Sequence, residues 1–144
     1  MDFIVERALD NMPAATEFAD VNQANIKVIG TGGAGNNMVG WLYKKGIKGA
    51  EIIATNTDTQ HLSITGADRK FLIGKDCTRG LGCGGYPSKG AEAAQESLSE
   101  IKESLRDSDM VFVCAGMGGG TGTGAAPVVA QVAKDTGAIV IGTV

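Results

Sequence analysis

Short apolar runs alternate with longer amphipathic segments along most of the chain. The apolar runs are rich in Ile and Val and have the length of β-strands. They lie at residues 25–30, 50–55, 69–73, 109–115 and 138–144. Glycine, asparagine and threonine follow most of them, so each strand is predicted to end in a polar loop.

The segments between the strands carry apolar residues at helical spacing. The first predicted helix includes Met38, Val39 and Leu42 and ends near Gly46. A short helix or turn is predicted around His61, and another helix is predicted to end near Asp135. A single helix is predicted to follow Pro87, with a stripe of Ala91, Ala94, Leu98, Ile101 and Leu105.

Strands that alternate with helices predict right-handed crossovers and a mostly parallel sheet. Continuous apolar strands are typical of a sheet covered by helices on both faces. The sequence therefore predicts a doubly wound, Rossmann-like α/β domain over residues 25–144. Residues 1–24 are predicted to be an extension, with a short helix over 2–12 followed by a linker.

Charge and composition exclude several classes of function. The chain has 13 Lys and Arg residues against 16 Asp and Glu, a net charge of -3. This balance argues against a general nucleic-acid surface or an anionic membrane surface. No signal peptide is evident and no apolar run approaches the roughly 20 residues of a membrane span. Three cysteines without a close pair predict reduced thiols in a cytoplasmic protein.

Glycine changes the picture most, because its 22 residues are clustered. Four lie in 30–35, four in 80–85 and six in 116–124. These clusters and the polar turn at 56–60 are all predicted at the carboxyl ends of strands, the edge where open parallel sheets bind ligands. The clustering predicts one site assembled from several loops.

The chemistry predicted for this edge is anion binding. Segment 116–124 lies between a strand and a helix, and glycine lets backbone N–H groups approach a ligand closely. The hydroxyls of Thr121 and Thr123 can bond to a phosphate oxygen or to a metal-bound water. No GxxxxGK[ST] motif occurs, so a P-loop is excluded.

Two nucleotide classes remain open at this point. Gly30, Gly32 and Gly35 match the GxGxxG spacing of a dinucleotide site. An NAD site also favours an acidic residue at the end of the second strand, where this chain has Asn56 followed by Asp58. A dinucleotide needs only one such loop, whereas several glycine loops favour a mononucleotide with a triphosphate chain.

Four segments together resemble the tubulin/FtsZ family of GTPases. They are residues 32–37 (GGAGNN), 56–58 (NTD), 78–82 (TRGLG) and 118–124 (GGGTGTG). The resemblance extends from about residue 25 to 144. The GAGNN and NTD forms favour an archaeal-like FtsZ over eukaryotic tubulin or its archaeal tubulin-like relatives.

The resemblance implies a site for GTP or GDP with Mg²⁺. Asp58 would lie near the metal or its waters, unless it serves only as a turn-forming side chain. No catalytic residue is expected in this chain, and His61 is interpreted as a surface residue. The implied nucleotide-binding residues are Gly32, Gly33, Ala34, Gly35, Asn36, Asn37, Asp58, Gly82, Cys83, Gly84, Gly118, Gly119, Gly120, Thr121, Gly122 and Thr123.

The resemblance also implies a function for the full-length relative. Such a GTPase polymerises head to tail into filaments of the cell-division ring, in the cytoplasm and with other division proteins. Because the chain stops inside its fifth predicted strand, we expect it to lack base recognition and the water-positioning acids, and to be inactive alone. The alternatives are an NAD-binding module and a non-catalytic fragment that caps polymers.

Overall fold

The structure, a computed structural model, describes residues 23–144. The helix predicted over 2–12 and most of the linker lie outside the described residues. Within the described part, a single sheet has five parallel strands in the order β3-β2-β1-β4-β5. The strands are β1 (Ile26–Thr31), β2 (Ala50–Asn56), β3 (Arg69–Leu72), β4 (Met110–Ala115) and β5 (Ile139–Thr143).

Helices cover both faces of this sheet, which confirms the predicted doubly wound α/β fold. The larger buried cluster joins Ile29, Ile53 and Val111 of the sheet to the helices after β3 and β4. A smaller buried cluster, which contains Val28 and Ile52, lies on the opposite face of the sheet. The helices are α1 (Gly32–Lys45), α2 (Thr59–Ile64), α3 (Lys75–Thr78), α4 (Pro87–Glu96), α5 (Leu98–Ser104) and α6 (Thr121–Asp135).

Two helices begin inside segments that were predicted as loops. Helix α1 starts at Gly32 rather than near Met38, and α6 already starts at Thr121. Glycine has a low helix propensity, so the pattern favoured loops here. Packing against the sheet outweighs that propensity, because glycine lets the first turns approach neighbouring backbone closely.

The single helix predicted after Pro87 is broken at Ser97 into α4 and α5. The Ser97 hydroxyl accepts a hydrogen bond of 3.0 Å from the backbone N–H of Gly74. Beyond the break, Ile101 and Leu105 are fully buried as predicted, whereas Leu98 is 38% exposed. The predicted stripe is therefore wrong at Leu98.

A buried lysine, Lys27, interrupts the continuous apolar character predicted for the first strand. The ammonium group of Lys27 donates to the carbonyl oxygens of Ser104 and Arg106, at 2.8 and 3.0 Å. These carbonyls lie at the C-terminal end of α5, where a helix favours positive charge. The carboxylate of Glu51 lies 3.4 Å away and completes the pairing that a buried charge requires.

Strands β1 and β4 are neighbours at the centre of the sheet, with Thr31 opposite Ala115. The chain leaves β1 toward β2 on one side and leaves β4 toward β5 on the other side. The connections that follow β1 and β4 therefore diverge at the carboxyl ends of these two strands. This is the switch point at which open α/β sheets form a crevice. Of the helices in residues 23–144, none has the length and apolar character needed to cross a membrane.

Candidate functional site

Helices α1 and α6 begin side by side at the switch point. Gly32 has a φ of +75°, and a Cβ on it would lie 2.6 Å from the backbone nitrogen of Gly122. A Cβ on Gly122 would lie 2.8 Å from the carbonyl oxygen of Gly116. The two helix starts can therefore touch only because Gly32 has no side chain, while a side chain on Gly122 would collide with the backbone of the loop before α6.

A cleft of about 300 Å³ opens above this contact. Its most accessible lining comes from the first turn of α1 and from the loop between β4 and α6; Gly33, Ala34 and Gly119 are exposed there. The full lining consists of Thr31, Gly33, Ala34, Gly116, Met117, Gly119, Gly120, Thr121 and Gly122. No charged side chain is part of it, so backbone dipoles dominate its electrostatics.

The first turns of α1 and α6 have no side-chain cap and no acidic residue. Helix α2 differs, because Oδ1 of Asp58 accepts from the N–H groups of Gln60 and His61 at 2.9 and 3.1 Å. Uncapped N–H groups and the positive end of a helix attract anions. Two such helix starts facing one cleft can hold a large anionic group.

Thr57, which directly follows β2, connects its own loop to the loop at 80–85 and to the start of α6. Its buried hydroxyl lies 2.7 Å from the hydroxyl of Thr121 and 3.4 Å from the sulfur of Cys83. Its carbonyl oxygen accepts from the N–H of Gly82 at 3.0 Å. Sequence reasoning recognised the polar turn but selected only Asp58 from it. The signal for Thr57 was its place at the end of a central strand.

Asn36 is fully buried below the cleft. Its amide fits the surrounding groups when the nitrogen donates to the carbonyl oxygens of Thr55 and Gly30, at 3.1 and 3.0 Å. Its oxygen then accepts from Nδ2 of Asn56 at 3.2 Å. The side chain of Asn36 thus joins α1 to β1 and β2.

The predicted site residues fall into groups that differ in exposure. Gly33, Ala34, Asn37, Gly84, Gly118 and Gly119 are exposed. Gly32, Gly35, Asn36, Cys83, Gly120 and Gly122 are buried, and Asp58, Gly82, Thr121 and Thr123 are half-buried. The hydroxyl of Thr123 accepts from the N–H of Gly118 at 3.0 Å, which stabilises the loop.

Two cysteine thiols, those of Cys77 and Cys114, have raised pKa values. Burial, reinforced by a hydrogen bond to Glu96 and its charge, raises the pKa of the Cys77 thiol to about 11. Burial also raises the pKa of Cys114. Across residues 23–144, no group of three or more His, Cys, Asp or Glu side chains is placed to hold a metal ion.

The sheet, its switch point and the two uncapped helix starts define a doubly wound α/β domain with a cleft suited to an anion. Residues 25–144 match the family model described as "Tubulin/FtsZ family, GTPase domain". The chain belongs to this family, as the four sequence segments predicted.

Archaeal FtsZ proteins are among its relatives. The chain is 58% identical to cell division protein FtsZ 2 of Methanocaldococcus jannaschii over 125 residues, which cover 87% of the chain and 33% of that protein. It is 52% identical to cell division protein FtsZ 2 of Halobacterium salinarum, with 100% of the chain and 38% of that protein covered. The chain therefore spans little more than a third of the length of these relatives.

Solved structures agree with this assignment. The structure described as an empty FtsZ dimer of M. jannaschii has a TM-score of 0.84 and 50% identity, covering 97% of this chain and 40% of that chain. CetZ2 from Haloferax volcanii, described as a GTPgS-bound protofilament, has a TM-score of 0.71 and 28% identity, covering 82% and 39%. The predicted preference for FtsZ over archaeal tubulin-like relatives is consistent with these identities.

Proposed function

We propose that this chain is the nucleotide-binding part of an FtsZ-type GTPase and binds GTP or GDP in the cleft between α1 and α6. One observation carries the proposal: two uncapped, glycine-rich helix starts touch at the switch point of the sheet. A di- or triphosphate chain has enough charge and length to use both of them.

The backbone would supply most of the phosphate contacts. The exposed residues Gly33, Ala34 and Gly119 line the cleft, and their N–H groups are the first candidates. Thr121 adds a hydroxyl, which Thr57 orients. The loop containing Gly82, Cys83 and Gly84 would lie toward the end of the phosphate chain. Since no lysine or arginine lines the cleft, backbone dipoles and a metal ion would balance the charge.

Asp58 fits a role beside Mg²⁺. Mg²⁺ is usually held by one or two carboxylates together with phosphate oxygens and water. Both capping bonds of Asp58 use Oδ1, and Oδ2 accepts none from the described residues. Asp58 would hold the metal or its waters through Oδ2, and the ion would offset the phosphate charge.

Hydrolysis and assembly belong to the same proposal. We infer that the full-length protein hydrolyses GTP, forms filaments with copies of itself, and works in cell division at the division site with other division proteins. The relatives named for cell division and the neighbours described as a dimer and a protofilament support this inference. Residues 1–144 alone are expected to bind nucleotide without appreciable turnover.

Calorimetric titration of the 144-residue chain with GTP, GDP and NAD, each with and without Mg²⁺, tests the proposal. We expect GTP and GDP to bind, GTP more tightly with Mg²⁺, and NAD to bind much more weakly. Binding of NAD in preference to both guanine nucleotides would overturn the proposal in favour of the NAD-binding module. Phosphate release that rises with chain concentration would contradict the expected inactivity.

The capping alternative is tested by assembly. The chain is mixed with a polymerising FtsZ, and the polymer is sedimented. If substoichiometric amounts of the chain lower the yield of sedimented polymer, the result would support a capping role. An unchanged polymer yield would argue against it.

A further inference from the structure

The one histidine of the sequence lines a hollow of about 310 Å³, together with Asn36, Asn37 and Trp41 of α1. His61 belongs to α2 and is half-buried. Its Nε2 atom lies 3.9 Å from the position that a Cβ on Gly33 would occupy, and it is the nearest atom there from outside helix α1 and the neighbouring residues. The imidazole edge therefore adjoins an accessible residue of the uncapped first turn of α1.

The orientation of the Asn56 amide is set by the backbone. Its Oδ1 accepts from the N–H groups of Thr57 and Asp58, at 2.8 and 3.3 Å. Its Nδ2 must then face the other way, toward Oδ1 of Asn36 at 3.2 Å and Nδ1 of His61 at 3.4 Å. An amide nitrogen has two hydrogens and no acceptor, so it donates to both partners.

This arrangement selects one form of the imidazole. Nδ1 of His61 accepts from Asn56, and an accepting ring nitrogen carries no hydrogen. The proton of the neutral ring is then on Nε2, the atom that adjoins Gly33. The chain of Asn36, Asn56 and His61 thus presents an N–H donor at the same side of the cleft as the free backbone N–H groups of α1.

We propose that His61 is a phosphate-binding residue, which donates its Nε2–H to an oxygen of the bound nucleotide beside Gly33. The assignment rests on the proposed function, because it needs a phosphorylated ligand in the cleft. It differs from the interpretation of His61 as a surface residue, since His61 is half-buried. Asn56 is the positioning residue, since it acts on the ligand only through the ring that it orients.

Nitrogen-15 NMR tests the geometry without a ligand. Because the chain contains a single histidine, its two ring nitrogens can be assigned without ambiguity. We expect the free protein, above the pH at which the ring is protonated, to show the Nε2–H tautomer. Saturating GDP should then shift the Nε2 signal more than the Nδ1 signal. An Nδ1–H tautomer, or an Nε2 signal unmoved at saturation, would overturn the inference.

Affinity gives the second measurement. His61→Ala should weaken GDP and GTP binding about tenfold, the effect of losing one hydrogen bond to a charged group. His61→Gln keeps an N–H donor and should recover part of the loss. The matched control is Gln60→Ala, an exposed change on the same helix, which should leave affinity unchanged. Equal affinity of His61→Ala and the parent chain would contradict the assignment.

The two proposals fail in different ways. A parent chain that binds neither GTP nor GDP in calorimetry would overturn the proposed function, and the phosphate contact with it. A chain that binds both nucleotides while His61→Ala retains full affinity would overturn the role of His61 alone. Far-UV circular dichroism of each variant separates lost binding from lost folding.

Discussion

The glycines of this site fall into two sets, which differ in the space around the Cβ position. Gly35 lies under the cleft, where a Cβ would overlap the carbonyl oxygen of Cys114. Gly119 lies on the cleft wall, where a Cβ would meet nothing within 4 Å. The first residue is glycine because the protein's own backbone fills the space, whereas nothing in the described fold requires glycine at the second.

The difference separates folding from function within a single motif. We call Gly35 and Gly122 the packing glycines, since backbone atoms crowd their Cβ positions. We call Gly33 and Gly119 the cleft glycines, since both are exposed and neither Cβ position is crowded: Nε2 of His61 lies 3.9 Å from that of Gly33, and nothing lies within 4 Å of that of Gly119. A closely bound ligand needs space at the Cβ positions of the cleft wall. Substitution of a packing glycine should therefore lower the free energy of unfolding, whereas substitution of a cleft glycine should lower nucleotide affinity.

Gly35→Ala should have the largest effect. The new methyl group would collide with the backbone of the central strand β4, which cannot move without disturbing the sheet. We expect a loss of at least about 4 kcal/mol in the free energy of unfolding, in the range reserved for severe steric defects. Urea denaturation followed by circular dichroism measures this loss.

Gly40→Ala is the matched control in the same helix. A Cβ at Gly40 would have its nearest neighbours at 3.8 Å, an ordinary contact distance. Alanine favours a helix interior over glycine by about 1 kcal/mol, so this variant should be as stable as the parent or more stable. If both alanine variants unfold alike, crowding at Gly35 is not the cause.

Thr57→Ala should have an intermediate effect, because Thr57 ties the cleft loops together. The change removes the 2.7 Å bond to Thr121 and leaves a half-buried hydroxyl without that partner. We expect a loss of about 1 to 2 kcal/mol in the free energy of unfolding. Thr57→Ser keeps the hydroxyl and should recover most of that loss; a serine variant as unstable as the alanine variant would assign the effect to packing.

Gly119→Ala should change stability by less than about 0.5 kcal/mol, as is usual for exposed positions. Nucleotide affinity should nevertheless fall about tenfold, because the methyl group would hold phosphate away from a backbone N–H donor. Gly142→Ala on β5 is the matched control, since it also adds a methyl in open space but does not line the cleft. If both variants bind nucleotide as tightly as the parent chain, Gly119 does not lie against the bound nucleotide.

The smallest effect is expected from Glu96, which lies in neither set. Hydrogen bonds from the backbone N–H of Asp76 and then of Cys77 lower the pKa of its carboxyl from the ordinary glutamate value. A lowered pKa adds stability that is present above the unfolded value and lost as pH falls through the folded value. Glu96→Gln should flatten slightly the acid side of a stability profile between pH 6 and pH 3; an unchanged profile would remove Glu96 as a contributor.

Hydrophobic pattern was sufficient to predict the fold class. The five strands and the edge that carries the glycine loops follow from apolar runs and the residues after them. Helix starts were less predictable, because a propensity scale cannot register that Gly32 and Gly122 have to touch. The break at Ser97 was missed for a similar reason, since its hydroxyl bonds to Gly74, a partner distant in sequence.

The candidate site was predicted as a set of loops rather than as a set of contacts. Motif spacing located the segments but did not distinguish buried Asn36 from exposed Asn37. Thr57 was not selected and His61 was interpreted as a surface residue, because both side chains bond to partners contributed by other elements. Polar residues whose bonds cross between loops leave no periodic signal in a sequence.

Trp41 turns helix α1 into a spectroscopic probe. It is the single tryptophan of the chain and is 60% exposed, with the ammonium group of Lys45 5.1 Å from its ring centroid. The indole borders the hollow next to His61 on one side and an apolar groove of about 670 Å³ on the other. Fluorescence excited at the indole band therefore originates at one known place. A blue shift of the emission would indicate that water has been excluded from the indole, and quenching by acrylamide would measure how accessible the indole remains to solvent.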